Sequence, residues 1–374
     1  MKLRLLSPLP FLLGAAGLSA AAPAASPAPV EGYHFVQTVG AISEYTLDAN
    51  GLQVLLLPDH SAPVITYQVT YRVGSRNEVT GTTGATHLLE HLMFKGSTHF
   101  NRELGTKVDQ ILDPIGATNN ASTWVDRTNY HETFGAEHLP LIVRMEADRM
   151  RGLLLRDSDR QPEMTVVRNE FERGENSPFQ ALMKEITAAA YVAHPYHHST
   201  IGWRSDIEQV STAKLREFYD TYYWPDNATV SVVGDFQPAA ALALVRQHYA
   251  AIPRAPKPIP QLYTQEPEQT GPRRVVVKRA GRLGVSGSAT RSPPPPIPTP
   301  RPSPSSASSS PTAKTAASTG PSPTRASRPA SPAFPSPPTT RRSTSPSSRW
   351  RPARSTRRSS SSPPRRSSGS SRTA

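Results

Sequence analysis

The chain has 374 residues, room for two or three ordinary domains, and no cysteine, which excludes disulfides, thiolate metal sites and cysteine nucleophiles. Its net charge of +13 would suggest a polyanion partner, but 15 of the 42 Lys and Arg residues, and no acidic residue, lie from position 285 onward. Residues 1–284 hold 27 basic against 29 acidic side chains, so the basic character belongs to the tail, and no nucleic-acid partner is expected.

Residues 1–25 read as a secretory signal peptide, with Lys2 and Arg4, a mostly apolar run from Leu5 to Ala22, and small residues before position 25. Pro8 and Pro10 interrupt the run, and no other stretch is long and apolar enough to span a membrane. The protein is therefore expected to be exported, periplasmic or secreted, with residues 26–39 as a linker.

An α+β domain is expected over residues 40–255. Residues 42–73 read as strands, with Asn50-Gly51 between two apolar-rich runs as a hairpin signal. ATHLLEHLMFKGS has helical spacing, with Leu88, Leu89, Leu92 and Met93 toward a core and Gly96 as the stop. ASTWVDRTNYHETF (121–134) reads as a strand. Helices are expected at 137–155, at 159–173 with Pro162 in the first turn, and at 178–193, 211–222 and 238–250. Residues 228–236 and 273–280 read as strands. From about Val285 the sequence becomes Pro, Ser, Arg, Thr and Ala without leucine or acid, too poor in apolar area to fold. The change cuts a strand-like segment, as a GC-rich gene read in the wrong frame would, so residues 285–374 are expected to be a disordered, frameshifted tail, the alternative being a genuine basic disordered tail.

The chemistry is concentrated in HLLEH. Residues four apart on a helix share a face, so His87 and His91 can hold one ion, and Glu90 lies on the same side. Zinc accepts two imidazoles and one further protein ligand, and a neighbouring carboxylate can take a proton from the attacking water. This H-x-x-E-H order is the inverzincin signature. With no cysteine, the third ligand must be His, Asp or Glu. Glu163 and Glu170 are two helical turns apart in EMTVVRNEF, on a face that Val166, Val167 and Phe171 suggest is buried. One of the pair could ligate the metal and the other could steady a histidine. His194, His197 and His198 form a second cluster, which Pro195 breaks; a loop or substrate-wall role suits them better than a second metal.

HLLEHLMFKGS, GATNNASTWVDRTNYHETF, EMTVVRNEFERGENSPF and HPYHHSTIGWRSDI resemble, in that order, the insulinase (pitrilysin-type, inverzincin) metallopeptidases, over about residues 40–284. The resemblance implies a domain with an antiparallel sheet flanked by helices, and zinc-dependent hydrolysis of peptide bonds in unfolded peptides. It implies His87, His91 and Glu170 as zinc ligands, Glu90 as general base and Glu163 as the glutamate that steadies the site. Asn120 and Ala121 would lie on the edge strand where substrate binds in extended form. Family members close a chamber with a second, similar domain, often from a further half or a partner subunit. Residues 256–284 would be the linker and start of that domain, truncated here, leaving the chain impaired by itself or a partner-dependent or non-catalytic subunit of a heterodimeric peptidase.

Overall fold

The computed structural model describes residues 29–280 and 284–291. Seven strands form one sheet: β1 (Tyr33–Val39), β2 (Ile42–Leu47), β3 (Gln53–Pro58), β4 (Val64–Tyr71), β5 (Thr118–Thr123), β6 (Thr128–Gly135) and β7 (Ala228–Gly234). Their spatial order is β1-β2-β3-β7-β4-β6-β5. Every neighbouring pair is antiparallel except β3 and β7, which run parallel from Gln53 opposite Thr229 to Pro58 opposite Gly234. The sheet is thus mixed, not purely antiparallel. The reason is topological: β7 arrives after the helices and inserts between β3 and β4, which run in opposite directions.

Alternation along the strands decides which face is covered. Ile65, Tyr67, Val69 and Tyr71 on β4 and Val54 and Leu56 on β3 are buried, while Thr66, Gln68 and Thr70 between them are only half-buried. One face is therefore apolar and the other carries polar ladders, such as the Thr66–Thr133 hydroxyl pair at 2.9 Å. The helices are α1 (Ala85–Leu92), α2 (Val108–Leu112), α3 (Leu139–Gly152), α4 (Asp157–Glu175), α5 (Pro178–Ala190), α6 (Arg204–Gln209), α7 (Thr212–Tyr222) and α8 (Pro238–Tyr249). α3 packs on β4, β6 and α8, while α1 packs on β5, α4 and α7. Leu88, Leu89, Ile142, Val143, Leu215, Tyr219, Leu242 and Val245 join the strands' inward residues in one core.

Several expectations shift. Tyr33–Val39, assigned to the linker, forms strand β1 and pairs with β2. The single strand expected over 121–134 is a hairpin, because Trp124 to Arg127 close a turn between β5 and β6. α4 begins at Asp157, which moves Pro162 into its second turn and leaves Gly174 inside the helix. Residues 273–280 form no strand and pair with none of the seven strands of the sheet. The signal peptide (1–25) and nearly all of the proposed tail, from 292 onward, lie outside the described residues. Among the described residues, no helix is long and apolar enough to cross a membrane.

Candidate metal centre

Helix α1 begins in a fixed place. Gly84 precedes it at φ +84°, and a Cβ there would lie 2.5 Å from the Ile201 carbonyl oxygen. Glu78 is buried and accepts the Gly84 and Thr86 amides at 2.9 and 2.8 Å, satisfying donors the helix start leaves free. Burial pushes its carboxyl up to about 8, against these hydrogen bonds. Leu88, Leu89 and Leu92 anchor one side of α1 in the core, which turns His87, Glu90 and His91 toward α4 and β5.

α4 lies antiparallel to α1, since Glu163 meets His91 and Glu170 reaches back to His87. Glu170 Oε2 is 3.7 Å from the Nε2 atoms of both His87 and His91. The ligand atoms of these three residues all lie within 4.8 Å of one another, and this is the group of its kind found among the described residues. Tetrahedral zinc with bonds of about 2.0–2.1 Å holds neighbouring ligand atoms roughly 3.3 Å apart. Two imidazoles and a carboxylate at these separations fit that ion with small closure. Nearer the start of α4, Glu163 Oε1 is 2.9 Å from His91 Nδ1. Of the three apolar residues used to infer a buried face, Val167 is buried and Phe171 half-buried, but Val166 points outward.

The environment sets the protonation. Burial, reinforced by the neighbouring His91, pulls the His87 imidazole down to about 4, so it is neutral and its lone pair is available at neutral pH. Burial acts the same way on His91, but the Glu163 hydrogen bond and the nearby Glu170 outweigh it and raise the group. Glu163 at Nδ1 leaves Nε2 as the atom facing Glu170. Glu163 is itself lowered: the hydrogen bonds from His91 and Lys95 overcome its burial. The Glu90 carboxyl is raised by burial, although the Thr123 hydroxyl donates to its Oε2.

Asn120 and Ala121 lie on β5, the last strand of the sheet, whose outer side has no partner strand among the described residues. Asn120 is exposed and its Oδ1 accepts the Ala121 amide at 2.8 Å. α1 packs directly on this strand, so the edge and the histidines are neighbours. Two contacts escaped the sequence reading. Thr123 sits two residues past Ala121, on the same side of β5, and reaches Glu90. Lys95 lies four residues past His91 and reaches Glu163 Oε2 at 2.5 Å. The same helical spacing that paired the histidines could have found Lys95. Of the second histidine cluster, His198 is buried with Nδ1 3.1 Å from the Ser199 carbonyl oxygen, and His194 caps the turn at Tyr196.

Residues 53–203 match the insulinase family (peptidase family M16), and residues 209–287 match the peptidase M16 inactive domain. The second match includes β7, which lies between β3 and β4 in the sheet. The chain is 37% identical over 235 residues to the zinc protease PqqE of Helicobacter pylori, covering 62% of this chain and 52% of that one. A solved protease structure from Helicobacter pylori superposes with a TM-score of 0.58 at 36% identity, over 60% of this chain and 54% of that one. The first half of the periplasmic protease PqqL from Escherichia coli shares the fold with a TM-score of 0.56 at 22% identity, over 63% and 51% of the two chains. The chain spans about half the length of the curated relatives it matches. Its two matched segments make this chain a member of the insulinase family, peptidase family M16.

Proposed function

We propose that the chain carries the zinc-binding, N-terminal part of an exported metalloendopeptidase that hydrolyses peptide bonds in unfolded peptides. The observation that carries this reading is the convergence of His87, His91 and Glu170 from two antiparallel helices, with Glu90 on the same turn of α1. Zinc, when bound by those three residues, supplies Lewis acidity toward a peptide carbonyl. The remaining work falls to the protein. β5 offers an unpaired edge, so an extended peptide can add as a strand beside Asn120 and Ala121. Glu90, its carboxyl raised by burial toward the range where a base both accepts and returns protons, takes a proton from the attacking water and delivers it to the leaving amine. Glu163 holds the His91 ring at Nδ1 throughout.

The chain covers about half of its relatives' length, which supports dependence on a further domain or partner subunit to enclose the peptide. Proteolysis of an unfolded protein substrate, with and without the product of a neighbouring gene, tests both parts. Cleavage that needs the partner and is lost in Glu90→Gln supports the reading. Undiminished cleavage by Glu90→Gln refutes the assigned base.

A further inference from the structure

The hydrogen-bond chain behind His91 does not stop at Glu163. Past Leu92 the backbone stays wound, with the Phe94 amide 3.3 Å from the His91 carbonyl and the Lys95 amide 3.0 Å from the Leu92 carbonyl. This keeps Lys95 on the α4 side of the helix before Gly96, at φ +143°, turns the chain away. The Lys95 ammonium therefore meets Glu163 Oε2 at 2.5 Å, while Oε1 of the same carboxylate meets His91 Nδ1 at 2.9 Å. The Glu163 side chain is 9% exposed, and each of its oxygens has one of these two partners.

A carboxylate held at one oxygen only can turn about its broad terminal torsion. With Lys95 on Oε2, Oε1 is kept at His91 Nδ1, and the ring is held with Nε2 facing Glu170. A second effect opposes this one: the ammonium draws electron density from the carboxylate and so weakens its support of the imidazole. Loss of orientation is the larger change, because it removes the hydrogen bond's direction and not only part of its strength.

We propose that Lys95 is a positioning residue of the metal centre: by holding Glu163 Oε2 it keeps Oε1 at His91 Nδ1, and so fixes the His91 ring with Nε2 presented to zinc. The proposal rests on the metal reading of His87, His91 and Glu170. It is tested on the full chain by zinc affinity, measured by competition with a chromophoric chelator, and by the visible spectrum of the cobalt-loaded protein. Lys95→Met should weaken zinc binding by about 10–100-fold, the usual effect of losing an outer-shell partner, and shift the cobalt bands. Lys95→Arg restores the cation and should recover both readouts to within about threefold.

Glu163→Gln keeps the side chain's shape and should lose a similar amount. Because both residues act through one contact chain, Lys95→Met combined with Glu163→Gln should lose little more than either alone. Unchanged or tighter zinc binding in folded Lys95→Met, or additive losses in the double variant, would overturn the proposal while leaving the ligand set intact. Zinc binding that survives His91→Ala would instead overturn the ligand set, and the role of Lys95 with it. A lower melting temperature with unchanged affinity and spectrum would mark Lys95 as packing alone.

Discussion

At the scale of single residues, the site separates four roles by environment. His87 is kept neutral by burial, His91 is oriented by Glu163, Glu170 faces both rings, and Glu90 stands apart on β5's side against Thr123. On the proposed assignment, replacing Glu90 by Gln removes the proton acceptor without touching a ligand. Glu90→Gln should therefore retain zinc and lose cleavage by about 10²–10⁴-fold, the usual share of a positioned general base, in a peptide-hydrolysis assay of the partner-complemented protein. Glu78 gives a different signature. Its folded-state value is raised to about 8, above the roughly 4.3 of an unfolded glutamate, so the folded protein holds this proton more tightly. The stability contributed by Glu78 is then complete at low pH and declines as pH rises between those two values. Thermal melts from pH 5 to 8 should show the advantage of wild type over Glu78→Gln shrinking as pH rises. A constant difference would show that Glu78 does not titrate in that window.

At the scale of elements, helical periodicity made the site readable. The four-residue step of His87 and His91 and the seven-residue step of Glu163 and Glu170 both place side chains on one face, and α1 and α4 bring those faces together. Val166 was misread because a single apolar residue on a charged helix carries no phase; its neighbour Val167 is the one that reaches the core. β1 was missed because HFVQTV lies at the sheet's edge and alternates weakly, with exposed Val36 and Val39. The parallel β3–β7 pairing was not legible at all, since it joins residues about 175 positions apart and no local pattern specifies it.

Beneath β6 and α3, Arg149, Glu132 and Glu146 are buried together, with Arg149 bonded to both acids and stacked 4.6 Å from the Tyr130 ring centroid. Burial and the adjacent Glu146 push Glu132 well up, which favours its protonated form. Arg149→Met should destabilise the domain by about 3–5 kcal/mol, because the buried acids lose their cation in the core. Urea denaturation reads this directly. Gly84→Ala should also destabilise, since alanine at φ +84° is strained and its Cβ meets the Ile201 carbonyl oxygen.

At the scale of the whole molecule, every residue of the metal centre falls within 87–170, on one sheet-and-helix unit with one core. The candidate ligands and their supports found among the described residues all lie before position 171, so a chain ending at 291 should bind zinc with unchanged affinity in the same chelator competition. The positive charge belongs to the segment from 285 onward, with 15 basic and no acidic residues, and does not characterise residues 1–284, which hold 27 basic against 29 acidic side chains. The candidate histidine pair and the Glu163/Glu170 pair were legible because each recurs at a short helical interval, whereas which glutamate joins the histidines, the fold's one parallel pairing and the placement of β7 depend on distant parts of the chain coming together. The most direct test of the metal assignment is zinc stoichiometry after equilibrium dialysis of the full chain beside His91→Ala. The assignment predicts one tightly held zinc per wild-type chain and none in the folded variant. A wild-type chain that emerges zinc-free, or a His91→Ala chain that keeps its zinc, would contradict it.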